Sequence, residues 1–360
     1  MIAWEDINKV VMSMAPLYVP LGLGYASVKR WRMFKPDQCD AINRFNCYFI
    51  IPFFTFHFTS GVDPYRMNFR FLAGDVVAKA IAGVSLALWA NLWRSGNFSW
   101  AITSFSLWSL NNTLVVGVPL LQAMYGPVGE DLVVQSSVIQ ALLWFPTLLF
   151  MLELRRSIPD NSKNEIDHVE NKNSTTSEAD STTAESTVTY SSRYNGVGSI
   201  MMKVGVKLAR NPNCYACIVG LIWALISKRW NFEMPSIVEG SVMIMAKAGS
   251  GVAMFSMGLF MALQNKVIAC GVRLSLYGML LRFVGGPVTT AIGALALGLK
   301  SNTFRIAIVQ AALPEAVTAF VFAQEYGLHA DVLSTAVIFG TIVSLPLLIG
   351  YYAILDVLHL

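Results

Sequence analysis

Stretches of about 20 apolar residues recur along the chain, and they restrict its fold more than any other feature. These stretches are continuous rather than alternating, which favours membrane-spanning helices over the strands of a transmembrane barrel. Only 13% of the residues are charged, about half of the share found in an average soluble protein. The chain is therefore predicted to be an all-α polytopic membrane protein.

Charged residues and Gly/Pro breaks divide the apolar stretches into ten predicted segments. They are 8–28, 38–60, 70–93, 100–124 and 132–153, followed by 212–227, 235–263, 268–298, 303–324 and 332–355. Between the two sets, residues 155–199 are rich in Ser, Thr, Asn and acidic residues, which predicts a disordered connector. We therefore expect an N-terminal five-helix repeat over 1–154 and a C-terminal five-helix repeat over 200–360.

The two halves are faintly similar in sequence. "YGPVGEDLVVQSSVIQALLWFPTLL" follows segment four, and "YGLHADVLSTAVIFGTIVSLPLLI" follows segment nine. Tyr125 corresponds to Tyr326 and Pro146 to Pro346, an offset of 200 to 201 residues. Because each half has an odd number of segments, the second copy would insert in the opposite orientation, which predicts a 5+5 inverted repeat.

Lys and Arg near the segment ends predict the orientation in the membrane. The connector side carries 15 of them and the opposite side carries 7. Because basic loops stay in the cytosol, we expect a cytosolic connector and two luminal or exoplasmic termini.

Segment four carries polar and helix-breaking residues near its centre, in "LWSLNNTLVVGVPLLQAMY". Asn111 and Asn112 are adjacent amides, and Gly117 and Pro119 weaken a helix. An interrupted helix is tolerated in a membrane only where it is buried in protein or lines a cavity. A helix N-terminus beside a neutral amide would suit a carboxylate. The alternative is that the two amides only hydrogen-bond neighbouring helices.

Segment nine has a corresponding stretch, "QAALPEAVTAFVFAQEYG". Pro314 predicts a second interruption, and Glu315 and Thr318 are polar residues within an apolar run. Glu315 either helps to organise a cavity or lies near a helix end in water.

Other polar residues lie at membrane depth. Asp75 and Lys79 are four residues apart in segment three, so they share one helix face and can pair. They form either a charged support site or a purely structural ion pair. Thr55 and Gln140 could face a cavity, and Phe145 could offer it an aromatic wall. Lys247 and Arg282 have no partner that spacing reveals.

The chain lacks the P-loop, H-E-x-x-H and G-x-S-x-G motifs, so no enzyme and no cofactor are expected. The net charge of +4 lies mainly in loops and gives no reason to expect nucleic-acid binding.

The sequence resembles the plant PIN-FORMED auxin efflux carriers. The resemblance extends over both apolar halves. Its motifs are "MAPLYVPLGLGYASVKRW", "FKPDQCDAINRF", "NTLVVGVPLL", "NPNCY", "GVAMFSMGLFMAL", "QAALPEAV" and "FVFAQEYGLHADVLSTAVIFG". It implies ten helices in an inverted repeat, with segments four and nine as interrupted crossing helices. It also implies a homodimer that moves the indole-3-acetate anion by elevator-like alternating access, without a clear need for a driving ion.

Matching motif positions imply site residues for indole-3-acetate and related aromatic carboxylates. Carboxylate contacts are implied at Asn112 and Asn213, and a polar support site at Asp75 and Lys79. Apolar and backbone contacts are implied at Ile51, Leu114, Val317 and Thr318, and further pocket positions at Thr55, Gln140 and Phe145. The chain departs from the family pattern at the helix crossings, where Asn111 and Ala319 replace common prolines, and at Glu315, where Gln is common.

The short connector resembles that of the subgroup found in the endoplasmic reticulum, which moves auxin between cytosol and lumen. That membrane is the expected location, and the plasma membrane is the alternative. Three rival functions stay open: a carrier of another organic acid, an ion-coupled carrier, and an auxin-binding receptor or scaffold that moves nothing.

Overall fold

The computed structural model describes residues 4–92, 97–157, 197–264, 268 and 270–357, and nearly all of them are helical. The helices of the first half are α1 (Trp4–Lys29), α2 (Pro36–Phe45), α3 (Ile51–Gly61), α4 (Phe69–Leu92), α5 (Phe98–Ser109), α6 (Val118–Tyr125), α7 (Pro127–Ile139) and α8 (Phe145–Ser157). Those of the second half are α9 (Val197–Ala209), α10 (Pro212–Trp230), α11 (Ser236–Lys247), α12 (Gly249–Leu263), α13 (Val272–Leu280), α14 (Gly286–Ala296), α15 (Ser301–Ala311), α16 (Val317–Glu325) and α17 (Ala330–Val357).

Four short π-helical turns continue into α-helices of the described chain, and each has the same cause. They are π1 (Asn46–Ile50), π2 (Thr113–Gly117), π3 (Gln140–Trp144) and π4 (Leu281–Gly285). A proline follows two residues after the end of each turn: Pro52, Pro119, Pro146 and Pro287. Proline cannot donate a backbone hydrogen bond and its ring clashes with the preceding turn, so one wider turn relieves the conflict.

Helix occupies each of the ten predicted segments, and the two predicted interruptions are present. The first lies between α5 and π2, and the second between α15 and α16. By length and composition, six helical stretches of the described chain could cross a membrane. They are Val10–Lys29, Phe69–Leu92, Pro127–Ser157, Ser236–Leu263, Val272–Ala296 and Ala330–Val357. The chain is therefore a polytopic, nearly all-helical protein.

Helix α9 was not predicted from the sequence. It begins inside the predicted connector 155–199, and α8 reaches three residues into the other end; the rest of the connector lies outside the described residues. Ile200 and Val204, four residues apart, are buried in a core cluster with Leu149. Lys207 on α9 lies 2.7 Å from the Glu325 carboxylate. This apolar spacing was the available signal, but the helix is too short to read as a span.

The main core surrounds the two interrupted helices. Leu107 before the first break, Leu120 and Leu121 after it, and Leu313 at the second break are fully buried. A Cβ atom on Gly117 would lie 2.7 Å from Cδ1 of Leu313, so the two breaks pack closely only because this position lacks a side chain.

Candidate functional site

The two helix interruptions lie against each other. An antiparallel β-bridge joins Asn111 in the first break to Glu315 in the second. The flanking hydrogen bonds run from the Asn112 N–H to the Pro314 carbonyl (2.9 Å) and from the Ala316 N–H to the Leu110 carbonyl (3.1 Å). Each break therefore satisfies backbone groups that the other has freed, which a buried crossing requires.

Gln140, on π3, holds the main chain of the first break. Its Oε1 accepts from the Asn111 N–H (2.9 Å), and its Nε2 donates to the Asn111 carbonyl (2.6 Å). Gln140 was predicted as a pocket donor, and the structure directs its amide to the backbone of the crossing instead. Its effect on a ligand would thus be indirect, through the position of the break.

The side chain of Asn111 is occupied by neighbouring helices. Its Nδ2 donates to the Gln310 carbonyl (2.9 Å), and its Oδ1 accepts from Nη2 of Arg282. The reading of an amide that joins helices therefore applies to Asn111. The residue opposite it is Glu315, whereas Ala319 lies in the first turn of α16 and is buried.

The side chain of Asn112 is in a different position. The residue is 8% exposed, and no hydrogen bond joins its side-chain amide to any residue that the structure describes. Asn112 directly precedes π2, yet its side chain does not cap that turn. A side-chain amide without a protein partner beside a helix N-terminus leaves hydrogen-bonding capacity for a ligand.

The other predicted contacts at the crossing are half-buried. Leu114 lies in π2, and Val317 and Thr318 begin α16, whose first turn has no side-chain cap. The ring of Phe145 packs edge-on against Phe322, with centroids 6.1 Å apart. Leu114 and the uncapped N-terminus of α16 thus lie close to Asn112 along the paired breaks.

A second group of predicted residues lies where α3 meets α10. The Thr55 hydroxyl donates to Oδ1 of Asn213 (2.5 Å), and Ile51 is half-buried on the same helix as Thr55. Asn211 caps α10 by accepting from the Asn213 N–H (3.0 Å). Among the described residues, no hydrogen bond connects this group to Asn112.

Arg282 is the residue at the crossing that sequence reasoning left without a partner. It lies on π4 and is fully buried. Its Nε donates to the Leu313 carbonyl (2.6 Å), and Nη1 donates to the carbonyls of Leu110 (3.0 Å) and Leu107 (3.2 Å). A Cβ on the nearby Gly286 would lie 3.1 Å from the Ala311 carbonyl oxygen. The glycine therefore lets the helix that carries Arg282 pack close to the end of α15.

Glu315 is fully buried, which excludes the reading of a carboxylate in water at a helix end. Its Oε1 accepts from the Ser106 hydroxyl (3.2 Å), and its Oε2 lies 3.5 Å from Nη1 of Arg282. The crossing therefore places a buried guanidinium beside a buried carboxyl group.

Asp75 and Lys79 pair as their spacing predicted. Lys79 Nζ lies 2.9 Å from Asp75 Oδ1, and both side chains are 8% exposed. Trp144 completes the group, because its Nε1 donates to Asp75 Oδ2 (3.1 Å) and its ring lies 5.3 Å from Lys79 Nζ. A small cavity between this pair and the crossing is lined by Asp75, Lys79, Trp108, Ser109 and Asn111 among others.

The described residues contain no group of three or more His, Cys, Asp or Glu side chains that could hold a metal ion. What the crossing offers a ligand is a neutral amide, helix N-termini and apolar walls. These groups suit an organic anion with an apolar body.

The chain is similar to known membrane proteins over nearly its whole length. Residues 9–352 match the family described as membrane transport protein. The chain is 54% identical to auxin efflux carrier component 5 of Arabidopsis thaliana, with 100% of both chains covered. It is 50% identical to probable auxin efflux carrier component 5b of Oryza sativa subsp. japonica, with 99% of each covered. It is 38% identical to auxin efflux carrier component 8 of Arabidopsis thaliana, which covers 99% of this chain and 100% of that one.

Proposed function

Because the chain belongs to the membrane transport protein family, and within it to the auxin efflux carriers, we propose that it carries the indole-3-acetate anion across its membrane by alternating access. Full-length identities of 54% and 50% to auxin efflux carriers make it an auxin transmembrane transporter and not an enzyme. The resemblance to PIN-FORMED carriers that its motifs predicted is confirmed.

The observation that carries the substrate proposal is the unpartnered amide of Asn112. We assign it to the carboxylate of indole-3-acetate, assisted by the helix N-termini that begin at Thr113 and Val317. A neutral donor holds an anion less tightly than a fixed cation would, so the substrate can leave. Leu114 and Phe145 would contact the indole ring. Thr55 and Asn213 would line the site from α3 and α10, the two helices that face each other there.

We propose that the ten segments form a 5+5 inverted repeat that works as an elevator within a homodimer. Two observations support this arrangement: helix occupies all ten segments, and the breaks in segments four and nine pair through antiparallel backbone. Interrupted helices that meet in this way are typical of secondary transporters with inverted repeats. Asp75 and Lys79 are assigned to a support site beside the crossing.

Purified protein in proteoliposomes is expected to take up radiolabelled indole-3-acetate, whereas empty vesicles should not. Unlabelled aromatic carboxylates should compete, and uptake should proceed without an imposed proton or sodium gradient. Stronger competition by another class of organic acid would contradict the substrate assignment, and a strict gradient requirement would indicate an ion-coupled carrier. Saturable binding without flux would indicate a receptor or scaffold.

We propose that the chain lies in the endoplasmic reticulum membrane with its connector in the cytosol and both termini in the lumen. The support is the 15 to 7 excess of Lys and Arg on the connector side and the short connector. A protease added outside sealed microsomes is therefore expected to cut within 155–199 and to spare tags on both termini. Protection of the connector together with cleavage of the tags would reverse the topology.

A further inference from the structure

Arg282 makes all of its hydrogen bonds to the two broken helices. Its guanidinium donates to main-chain carbonyls at the C-terminal ends of α5 and α15 and to the side chain of Asn111. Carbonyl ends of helices carry partial negative charge, which favours a cation there. Five acceptors other than Glu315 therefore hold Arg282 in position.

Glu315 interacts with Arg282 through charge and not through a hydrogen bond. Its Oε2 is 3.5 Å from Nη1 and makes no hydrogen bond within the described chain, although it is buried. A carboxylate that served to orient a guanidinium would form short parallel hydrogen bonds to it. Neutralising Glu315 should thus change the charge of the crossing while leaving Arg282 in place.

Along each of the two paired breaks, the ion pair lies one residue away from the proposed carboxylate site. Arg282 bonds the side chain of Asn111, the neighbour of Asn112, and Glu315 follows Pro314, whose carbonyl accepts from the Asn112 N–H. At this separation in a buried environment, an unbalanced charge would be felt by a bound anion.

We propose that Glu315 sets the affinity for the anionic substrate by cancelling the charge of Arg282. With Glu315 ionised, the crossing offers only dipoles and an amide, and the anion is released readily. Without it, the anion would meet a net positive crossing and would be held too long. This inference rests on the proposed carboxylate site at Asn112.

Glu315→Gln is the direct test, because it removes the charge and keeps the shape. The dissociation constant for labelled indole-3-acetate is expected to fall about tenfold, and the maximal uptake rate should fall as well because release slows. The uncharged probe indole-3-acetamide should show no gain in affinity. Asp356→Asn is the matched control, since it removes a carboxylate whose partly exposed pair with Arg305 lies elsewhere, and it should change neither quantity.

Opposite movement of affinity and rate separates this role from a structural one, which would lower both. Unchanged or weaker binding of indole-3-acetate by folded Glu315→Gln would overturn the inference, as would an equal gain for the acetamide. Glu315→Met is the second variant and should also bind the anion more tightly. Failure of both variants to fold would overturn it too, because Arg282 would then depend on Glu315 for its position. If wild-type protein does not bind indole-3-acetate, the proposed function itself fails.

Discussion

Replacing Asn112 by alanine is expected to weaken binding of indole-3-acetate roughly tenfold to a hundredfold. Asn112 is 8% exposed and its side-chain amide has no hydrogen-bond partner among the described residues, so the ligand carboxylate would accept from its N–H. Loss of one hydrogen bond to a charged group is worth about 1.5–3 kcal/mol, which corresponds to this change in the dissociation constant. Equilibrium binding of labelled substrate to purified protein measures it directly.

Asn111→Ala provides the matched control for Asn112→Ala. The same amide is lost one residue away, but the Asn111 side chain bonds Gln310 and Arg282, so its loss should lower thermal stability without ligand. Asn112→Ala should leave that stability nearly unchanged. Asn112→Asp should bind the anion even more weakly, since it adds like charge. Wild-type affinity in a well-folded Asn112→Ala protein would show that Asn112 is not the carboxylate donor.

Neutralising either Asp75 or Lys79 alone is expected to destabilise the protein by about 3–5 kcal/mol and to abolish most uptake. Each variant leaves one buried charge without its partner. Neutralising Asp75 should be the more damaging change, because beyond the ion pair with Asp75 the Lys79 Nζ donates no hydrogen bond to a described residue. Thermal unfolding of purified protein, followed with and without substrate, gives the size of the loss.

The exchanged pair, Asp75→Lys with Lys79→Asp, tests whether the loss comes from pairing. It restores opposite charges on one helix face and should recover most of the stability. Recovery should be incomplete by about 1 kcal/mol, since Trp144 loses the acceptor that Asp75 gave it. Strictly additive damage in the double variant would mean that the two residues act independently.

Features that depend on neighbours along the chain could be predicted from the sequence. The presence of helix in the predicted apolar segments follows from continuous apolar runs, and both interruptions follow from prolines and amides within them. The Asp75–Lys79 pair follows from a four-residue spacing on one helix. The π-helical turns were not predicted, although a proline two residues beyond each of them was visible in the sequence.

Features that depend on distant residues could not be predicted. Asn111 and Asn112 are identical in sequence terms, and only the fold assigns one to Arg282 and Gln310 while leaving the other unpartnered. Gln140 was expected to face a ligand, but its amide bonds the main chain of Asn111. Those backbone groups are free only because the helix is broken there, which the sequence around Gln140 does not show. Arg282 had no visible partner because most of its acceptors are main-chain carbonyls, and its side-chain partners, Asn111 and Glu315, are distant in sequence.

The contacts of Arg282 also have a consequence for how the chain is made. Its segment, Val272–Ala296, must enter the bilayer carrying a buried cation, at a cost of about 2.5–3.5 kcal/mol in helix insertion. The acceptors Leu107, Leu110 and Asn111 precede it by more than 170 residues, so they are already synthesised when it emerges. Leu313 follows 31 residues later. The first half of the chain thus already supplies acceptors for the arginine before the second half has been completed.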